Sequence, residues 1–292
     1  MKRLALLCSL ASLSASAAGA QIPLELRSNL GAGTNPPGTE VGLAVIDLGS
    51  GDTLWVNAGW RVHAASTMKL PVLLELARRV DAGTYSWDQP VLVRNEFRSI
   101  VDSSTYTLPP EPGLDTLEGR TAPARLLASL MITRSSNFAT NLLIAELGAP
   151  QVQATARALG ADSIVVLRGV EDQKAFDRGL SNTTTARDLA VLLAAIGTGR
   201  AGTEASSAVM LDILSHQEFR GGIPAGLPPG TPVASKTGNI TGINHDAALV
   251  MPPGRPPYVL VIVTRGFGTP ADAEAYMARV SREVWQALGG AD

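Results

Sequence analysis

Hydrophobic positions change period several times along the chain. From 41 to 58, apolar and polar residues alternate around Leu48-Gly49-Ser50-Gly51-Asp52, which predicts two strands joined by a tight glycine-rich turn. From 66 to 80 the apolar positions (Met68, Leu70, Leu73, Leu74, Leu76, Ala77) follow helical spacing, and Arg78-Arg79 suits a helix C-terminus. Residues 81–120 are rich in Pro, Gly, Ser and Thr with little periodicity, and are expected to be mostly loop. Helical patterns return from Pro123 to Ile132, from Asn137 to Leu147 before Gly148, and from Pro150 to Gly160. Two more cover 184–196 and 203–215. Between Leu167 and Thr183 runs a polar, aperiodic stretch too long for a simple connection, which marks a functional loop. Strand patterns at 233–239, 246–251 and 258–264 and an amphipathic helix at 271–288 complete the chain.

Strands at both ends with helices between them imply an α/β plus all-α organisation. The expected division is an α/β domain built from residues 21–64 and 217–292, with an all-α domain, 65–216, inserted. A hydrophobic fraction of 45% with 17% charged residues fits a folded globular protein. Aromatics are only 4%, so the core must rest on Leu, Val, Ile and Ala.

The first twenty residues carry a secretory pattern: Lys2 and Arg3, an apolar run from Leu4 to Leu13, and Ala18-Gly19-Ala20 before Gln21. A short buried helix is the alternative. The leader predicts a secreted or periplasmic protein with no membrane segment after cleavage. Its removal takes away Cys8, the sole cysteine, and with it any disulfide or thiolate chemistry. Formal charge then moves from −2 to −4, because Lys2 and Arg3 leave and no acid does. Nothing in that balance fits nucleic-acid binding. His63, His216 and His245 show no metal-ligand spacing, so no metal and no cofactor is expected.

Three short motifs carry candidate chemistry. In Ser66-Thr67-Met68-Lys69, a helix would put residues three apart on one face and bring the Lys69 amine to the Ser66 hydroxyl. A serine hydroxyl needs an adjacent base. A lysine serves only if its pKa falls by about 3 units, through burial or nearby positive charge. Alone, the motif fits a capping serine and a solvated lysine better. Ser135-Ser136-Asn137 alone fits a helix N-cap better. Lys236-Thr237-Gly238 lies in a strand, where glycine weakens pairing unless a ligand must approach the backbone closely; alone it fits an ordinary strand end better.

In this order, Ser-x-x-Lys, Ser-x-Asn and Lys-Thr-Gly resemble the motif set of class A β-lactamases and other penicillin-recognising serine enzymes. The flanks resemble them too: His63 to Leu74, Ile132 to Leu143, Gly226-Leu227-Pro228, and Asp246 to Pro253. The likeness spans residues 40–290. It implies a β-lactamase/transpeptidase-like fold, an antiparallel sheet flanked by terminal helices with an inserted helical domain. It further implies a monomer acting on a β-lactam or related small acyl substrate. By the same likeness Ser66 is the nucleophile, Lys69 its base, and Ser135 the proton donor to the leaving nitrogen. Asn137, Lys236, Thr237, Gly238 and Asn239 line the substrate site, with Ser66 and Asn239 N–H groups at the oxyanion positions. Glu171 becomes the deacylation base, with a solvated acid or a partner of Lys174 as its alternative. An acyl-enzyme hydrolysing β-lactams is the function this implies, with a D-alanyl-D-alanine peptidase or esterase as the other outcome.

The pattern departs from the family in one region. Lys174 stands where a water-holding Asn is expected, Asn182 replaces an Asp that pairs with the loop arginine, and the loop is about two residues short. Ser136 also replaces the usual acid of the second motif.

Overall fold

Near-continuous apolar runs in the long strands, whose side chains point alternately to either side, give a sheet with two buried faces. The computed structural model describes residues 21–31 and 35–290; the leader expected at 1–20 lies outside the described residues. The main strands are β1 (Glu40–Asp47), β2 (Thr53–Val56), β3 (Val233–Ile240), β4 (Ile243–Val250) and β5 (Tyr258–Arg265). They form one antiparallel sheet in the order β2-β1-β5-β4-β3, so the first long strand pairs with the last.

In β5, Tyr258, Leu260 and Ile262 enter one core while Val259, Val261 and Val263 enter the other. The first core is closed by helix α9 (Pro270–Ala287) through Tyr276, Met277, Val280, Val284 and Trp285, and by the short helix α1 (Leu24–Asn29). A capping box fixes where α9 begins: Thr269 accepts from the Asp272 N–H, and Asp272 accepts from the Thr269 N–H.

The opposite face packs on helices that follow one another in sequence. These are α2 (Lys69–Asp81), α3 (Ala124–Thr133), α4 (Asn137–Leu147), α5 (Ala149–Ala158), α7 (Ala186–Gly197) and α8 (Glu204–Ser215), while the short α6 (Gln173–Asp177) lies outside that core. Hydroxyl caps set several starts: Ser136 for α4, Thr185 for α7 and Thr203 for α8. In α2, Leu70, Val72, Leu73, Leu74, Leu76 and Ala77 are all buried, so it is an interior helix rather than an amphipathic surface one.

Two features differ from the periodicity. The helix expected from residue 66 opens as a tighter 3₁₀ turn, Ala65–Met68, and becomes α-helical only at Lys69. The aperiodic stretch 81–120 is largely loop, but two short ladders stiffen it: Pro90–Leu92 on Thr121–Pro123, and Phe97–Arg98 on Thr105–Tyr106. Among the described residues no helix is long and apolar enough to cross a membrane.

Candidate active site

Ser66 sits on the 3₁₀ turn at the head of the buried helix α2, half-buried among buried neighbours. The preceding residue, Ala65, has φ 47°, a left-handed conformation that L-residues adopt only at a cost. Strand β3, an edge strand, passes directly behind the turn. A Cβ on Gly238 would lie 3.0 Å from Thr67 Cγ2, 3.1 Å from the Thr67 nitrogen and 3.2 Å from the Ala64 oxygen. The glycine expected to admit a ligand thus admits the nucleophile turn itself. It lets the third motif close against the first.

Two lysines converge on one hydroxyl. Lys69 Nζ donates to Ser135 Oγ at 3.1 Å, to the Ser135 carbonyl at 2.6 Å and to Asn137 Oδ1 at 2.8 Å. Lys236 Nζ donates to the same Ser135 Oγ at 3.2 Å and to the Thr237 carbonyl at 2.9 Å. Both lysines are fully buried. Burial, and then the Lys236 charge, hold the Lys69 amine well below the usual lysine range, against the opposing pull of Glu111 and Glu171. Burial brings Lys236 down to about 7 despite the attraction of Asp246. A hydroxyl between two amines can accept from one and donate to the other once one amine is neutral, so Ser135 is built to relay protons. Its φ of 56° turns it out of the end of α3 towards both lysines.

The contact expected between Lys69 and Ser66 is not formed. All three hydrogen bonds from the Lys69 amine go to Ser135 and Asn137. The physical reason is local: a long side chain reaches the acceptors that Ser135 and Asn137 offer at the head of α4, while Ser66 lies on the 3₁₀ turn outside the α-helical repeat.

The second motif serves both of its readings. Ser136 is the N-cap of α4, accepting from the Ala139 N–H at 2.9 Å, while Ser135 and Asn137 on either side face the site. Asn137 Nδ2 donates to Glu171 Oε1 at 3.0 Å, completing a chain from Lys69 through Asn137 to Glu171. Glu171 is exposed, at φ 61°, yet its backbone is clamped on both sides. Before it, Asn141 accepts from the Val170 N–H at 2.6 Å and donates to the Val170 carbonyl at 3.0 Å. After it, Asp172 accepts from Ser99 Oγ at 2.9 Å and the Ile100 N–H at 3.0 Å, and caps α6. Val165 and Thr183 exchange both backbone bonds and pinch the ends of this loop together.

The departures in the loop also have structural outcomes. Lys174 turns away from Glu171 and bonds Asp102 at 2.8 Å and Ser104 at 2.7 Å, so it is not the partner of Glu171. Asn182 replaces an ion pair with backbone bonds: it accepts from the Leu167 N–H at 2.8 Å and donates to the Arg168 carbonyl at 2.9 Å. The buried Arg168 guanidinium is satisfied by the carbonyls of Leu180 and Gly169. His245 is a buried residue inside β4 bonded to backbone groups, and burial lowers it to about 4, so it stays neutral.

Sequence patterns missed two residues that shape this site. Glu111, from the aperiodic stretch, accepts from the Asn137 and Phe138 N–H groups at 2.9 Å each, so a carboxylate sits at the head of α4. Asn141, the loop clamp, had a signal available, since it lies one turn beyond Asn137 on the same helix face.

Ser66 lines two adjoining clefts. One, of about 320 Å³, is shared with Asn137, Glu171, Asn239, His63 and Phe176. The other, of about 360 Å³, is shared with Ser135, Thr237, Gly238, Asn239 and Asp246. Every expected site residue lines one of these clefts or, in the case of Lys69 and Lys236, bonds to Ser135 beneath them. Among the described residues no group of three or more His, Cys, Asp or Glu side chains is placed to hold a metal ion.

The family model described as the beta-lactamase enzyme family matches residues 26–288. The chain belongs to that family. Membership makes it a hydrolase, and the solved relatives share its class A β-lactamase-like fold. The β-lactamase AST-1 of Nocardia asteroides is 30% identical over 257 residues, covering 86% of this chain and 80% of its own. An ancestral class A β-lactamase superposes with a TM-score of 0.75 at 26% identity, over 90% of this chain and 97% of that one. A mutant of PBP-A, solved as an acyl-enzyme complex with penicillin G, superposes with a TM-score of 0.75 at 30% identity, over 91% and 95%. The chain is thus similar both to named β-lactamases and to PBP-A.

Proposed function

We propose that the protein is a serine β-lactamase acting through an acyl-enzyme on Ser66. The observation that carries this is the convergence of buried Lys69 and Lys236 on Ser135 in a cleft bordered by Ser66, with Glu171 tied in through Asn137. The proton of Ser66 passes to neutral Lys69 as the serine oxygen attacks the lactam carbonyl, and the amine leaves one of its present acceptors on Ser135 or Asn137 to take it. The N–H groups of Ser66 and Asn239 hold the developing oxyanion, each worth about 3–4 kcal/mol of barrier. The C–N bond breaks and the nitrogen takes the Ser135 proton, which the lysines replace. Thr237, with the Lys236 charge behind it, binds the substrate carboxylate. Asn137 binds the acyl-side amide, and Gly238 keeps β3 close to the nucleophile. Glu171 then takes a proton from water as it attacks the ester. The ester C–O bond breaks, and the proton held by Glu171 returns through Asn137 and Lys69 to Ser66 Oγ, leaving free enzyme and the hydrolysed acid. An α/β part of residues 21–64 and 217–292 around a helical part of 65–216 is supported by Lys236–Gly238 lying on β3 while Ser66 and Asn137 lie on helical turns. The leader pattern at 1–20 supports export to the periplasm or medium, and every residue used in these steps comes from one chain, which fits action as a monomer.

Steady-state turnover of a chromogenic cephalosporin tests the reading. Many product molecules per enzyme are expected, none with Ser66→Ala; a single stoichiometric burst points to the second reading. That reading, a D-alanyl-D-alanine peptidase or esterase with slow β-lactam turnover, is favoured by one observation. Within the described residues Asn137 is the one hydrogen-bond partner of the Glu171 carboxylate, and Lys174 is engaged elsewhere.

Glu111 yields a pH prediction. Its charge favours the ammonium form of Lys69, so Glu111→Gln keeps an acceptor at the head of α4 but lets the Lys69 pKa fall further. A base works when deprotonated, so acylation rises as pH rises through that pKa. The acidic limb of the acylation rate against pH is therefore expected to move to lower pH in Glu111→Gln. An unmoved or opposite limb contradicts the electrostatic role.

A further inference from the structure

The cleft on the Ser135 side is acidic at its far end. Besides Ser66, Ser135 and Thr237 it is lined by Asp246, Glu274 and the half-exposed ring of Phe219. Asp246 is opposite Thr237 in the β3–β4 register and only 1% exposed. Its Oδ2 accepts from the Ile223 N–H at 2.8 Å, while its Oδ1 is buried with no hydrogen-bond partner among the described residues. A buried carboxylate oxygen without a partner is a costly arrangement, and one beside a cleft is eased by a positive charge placed there. Glu274, exposed on α9, enters no ion pair in the described structure. Two glycines let both acids come close to the chain: a Cβ on Gly222 would lie 2.6 Å from Asp246 Oδ2, and one on Gly221 would collide with the Glu274 carboxylate.

Nearby cations do not neutralise this end. The Lys236 ammonium attracts Asp246, but its hydrogen bonds go to Ser135 Oγ and the Thr237 carbonyl. Arg220 is exposed, lines neither cleft and pairs with neither acid in the described structure. Burial raises the Asp246 carboxyl to about 7, so a bound cation would also draw it into its ionised form.

Orientation follows from the proposed function, on which this inference rests. Ser135, which protonates the leaving nitrogen, lines this cleft and not the one holding Glu171. The leaving half of the substrate therefore lies here, its carboxylate on Thr237 and any further substituent directed towards Asp246, Glu274 and Phe219. We propose that this end of the cleft is a subsite for a positively charged substituent on the leaving half of the substrate. Two carboxylates supply the charge and the Phe219 face adds a cation–π contact. The preferred substrate is thus zwitterionic, a carboxylate and an ammonium on the same half.

Two cephalosporins with one common acyl side chain test this. One carries a neutral acetoxymethyl group and the other a quaternary pyridinium-methyl group at the same ring carbon. The second-order acylation rate constant is measured for each, and the cationic-to-neutral ratio is compared between wild type and Glu274→Gln, which cancels the intrinsic reactivity of the probes. The ratio is expected to fall about tenfold in Glu274→Gln, with the neutral probe unchanged. It should also fall in wild type as salt is raised. Asp246→Asn, as a second variant, is expected to lower the same ratio. An identical ratio in wild type and both variants overturns the subsite while leaving Ser66 acylation standing. If neither probe adds mass to Ser66 in wild type, the acyl-enzyme reading falls and the subsite with it.

Discussion

Replacing Lys69 by Met is expected to slow acylation by penicillin about 1,000-fold while leaving the protein folded, because removal of a positioned general base costs on that scale. Lys69 is buried beneath the site, its amine bonded to the Ser135 carbonyl and hydroxyl and to Asn137. An apolar side chain of similar length fills the same space without the cost of burying an amine. Thermal unfolding should therefore show a midpoint equal to or above that of wild type. That pairing of outcomes separates catalysis from architecture. A structural lysine would lose stability and activity together, whereas a base loses activity alone. Stopped-flow acylation and a melting curve on the same preparation decide the matter. Acylation within threefold of wild type would remove Lys69 from the chemistry.

Glu171→Ala is expected to act on the other half of the cycle. Acylation should change little on its pH plateau, since the carboxylate touches Asn137 and not Ser135 or either lysine. Its acidic limb should move to lower pH, because Glu171, like Glu111, favours the Lys69 ammonium. Hydrolysis of the acyl-enzyme should slow about 100- to 10,000-fold, the range of a lost general base. The clamped backbone on either side of Glu171 is the reason to expect so large an effect from an exposed acid: Asn141 holds Val170, and Ser99 with Ile100 holds Asp172. Glu171→Gln keeps an acceptor for Asn137 and should behave like Glu171→Ala if the base function matters. Recovery of wild-type hydrolysis in Glu171→Gln would assign Glu171 to positioning Asn137 instead.

Element starts and ends with local chemical signals were legible in the chain. Helix α4 runs from Asn137 to Leu147 as its pattern implied, because Ser136 caps it and Gly148 ends it. The continuous apolar run of β5 was equally plain, since both faces of that strand are buried. The three motifs gather at one pair of adjoining clefts because they lie on elements that the fold brings together, although Lys69 does not bond Ser66. What escaped depended on distant contacts. Glu111 lies in a proline-rich stretch without periodicity, and only the return of that loop over α4 brings its carboxylate to the Asn137 N–H. The Ser66–Lys69 contact was expected from helical spacing, but the chain forms a 3₁₀ turn there and offers the amine better acceptors on α4. The acidic cleft end was hidden for a similar reason: Glu274 on α9 and Asp246 on β4 are far apart in sequence, and each alone resembles an ordinary acid.

Intact-mass spectrometry with penicillin, followed over time, bears most directly on the idea that a lysine-activated hydroxyl at residue 66 carries the substrate. Wild type should gain one penicillin mass, mapped to the Ser66 peptide, and lose it again as free penicilloate appears; Ser66→Ala should gain none. An adduct that forms equally in Ser66→Ala, or maps to another residue, would contradict the account.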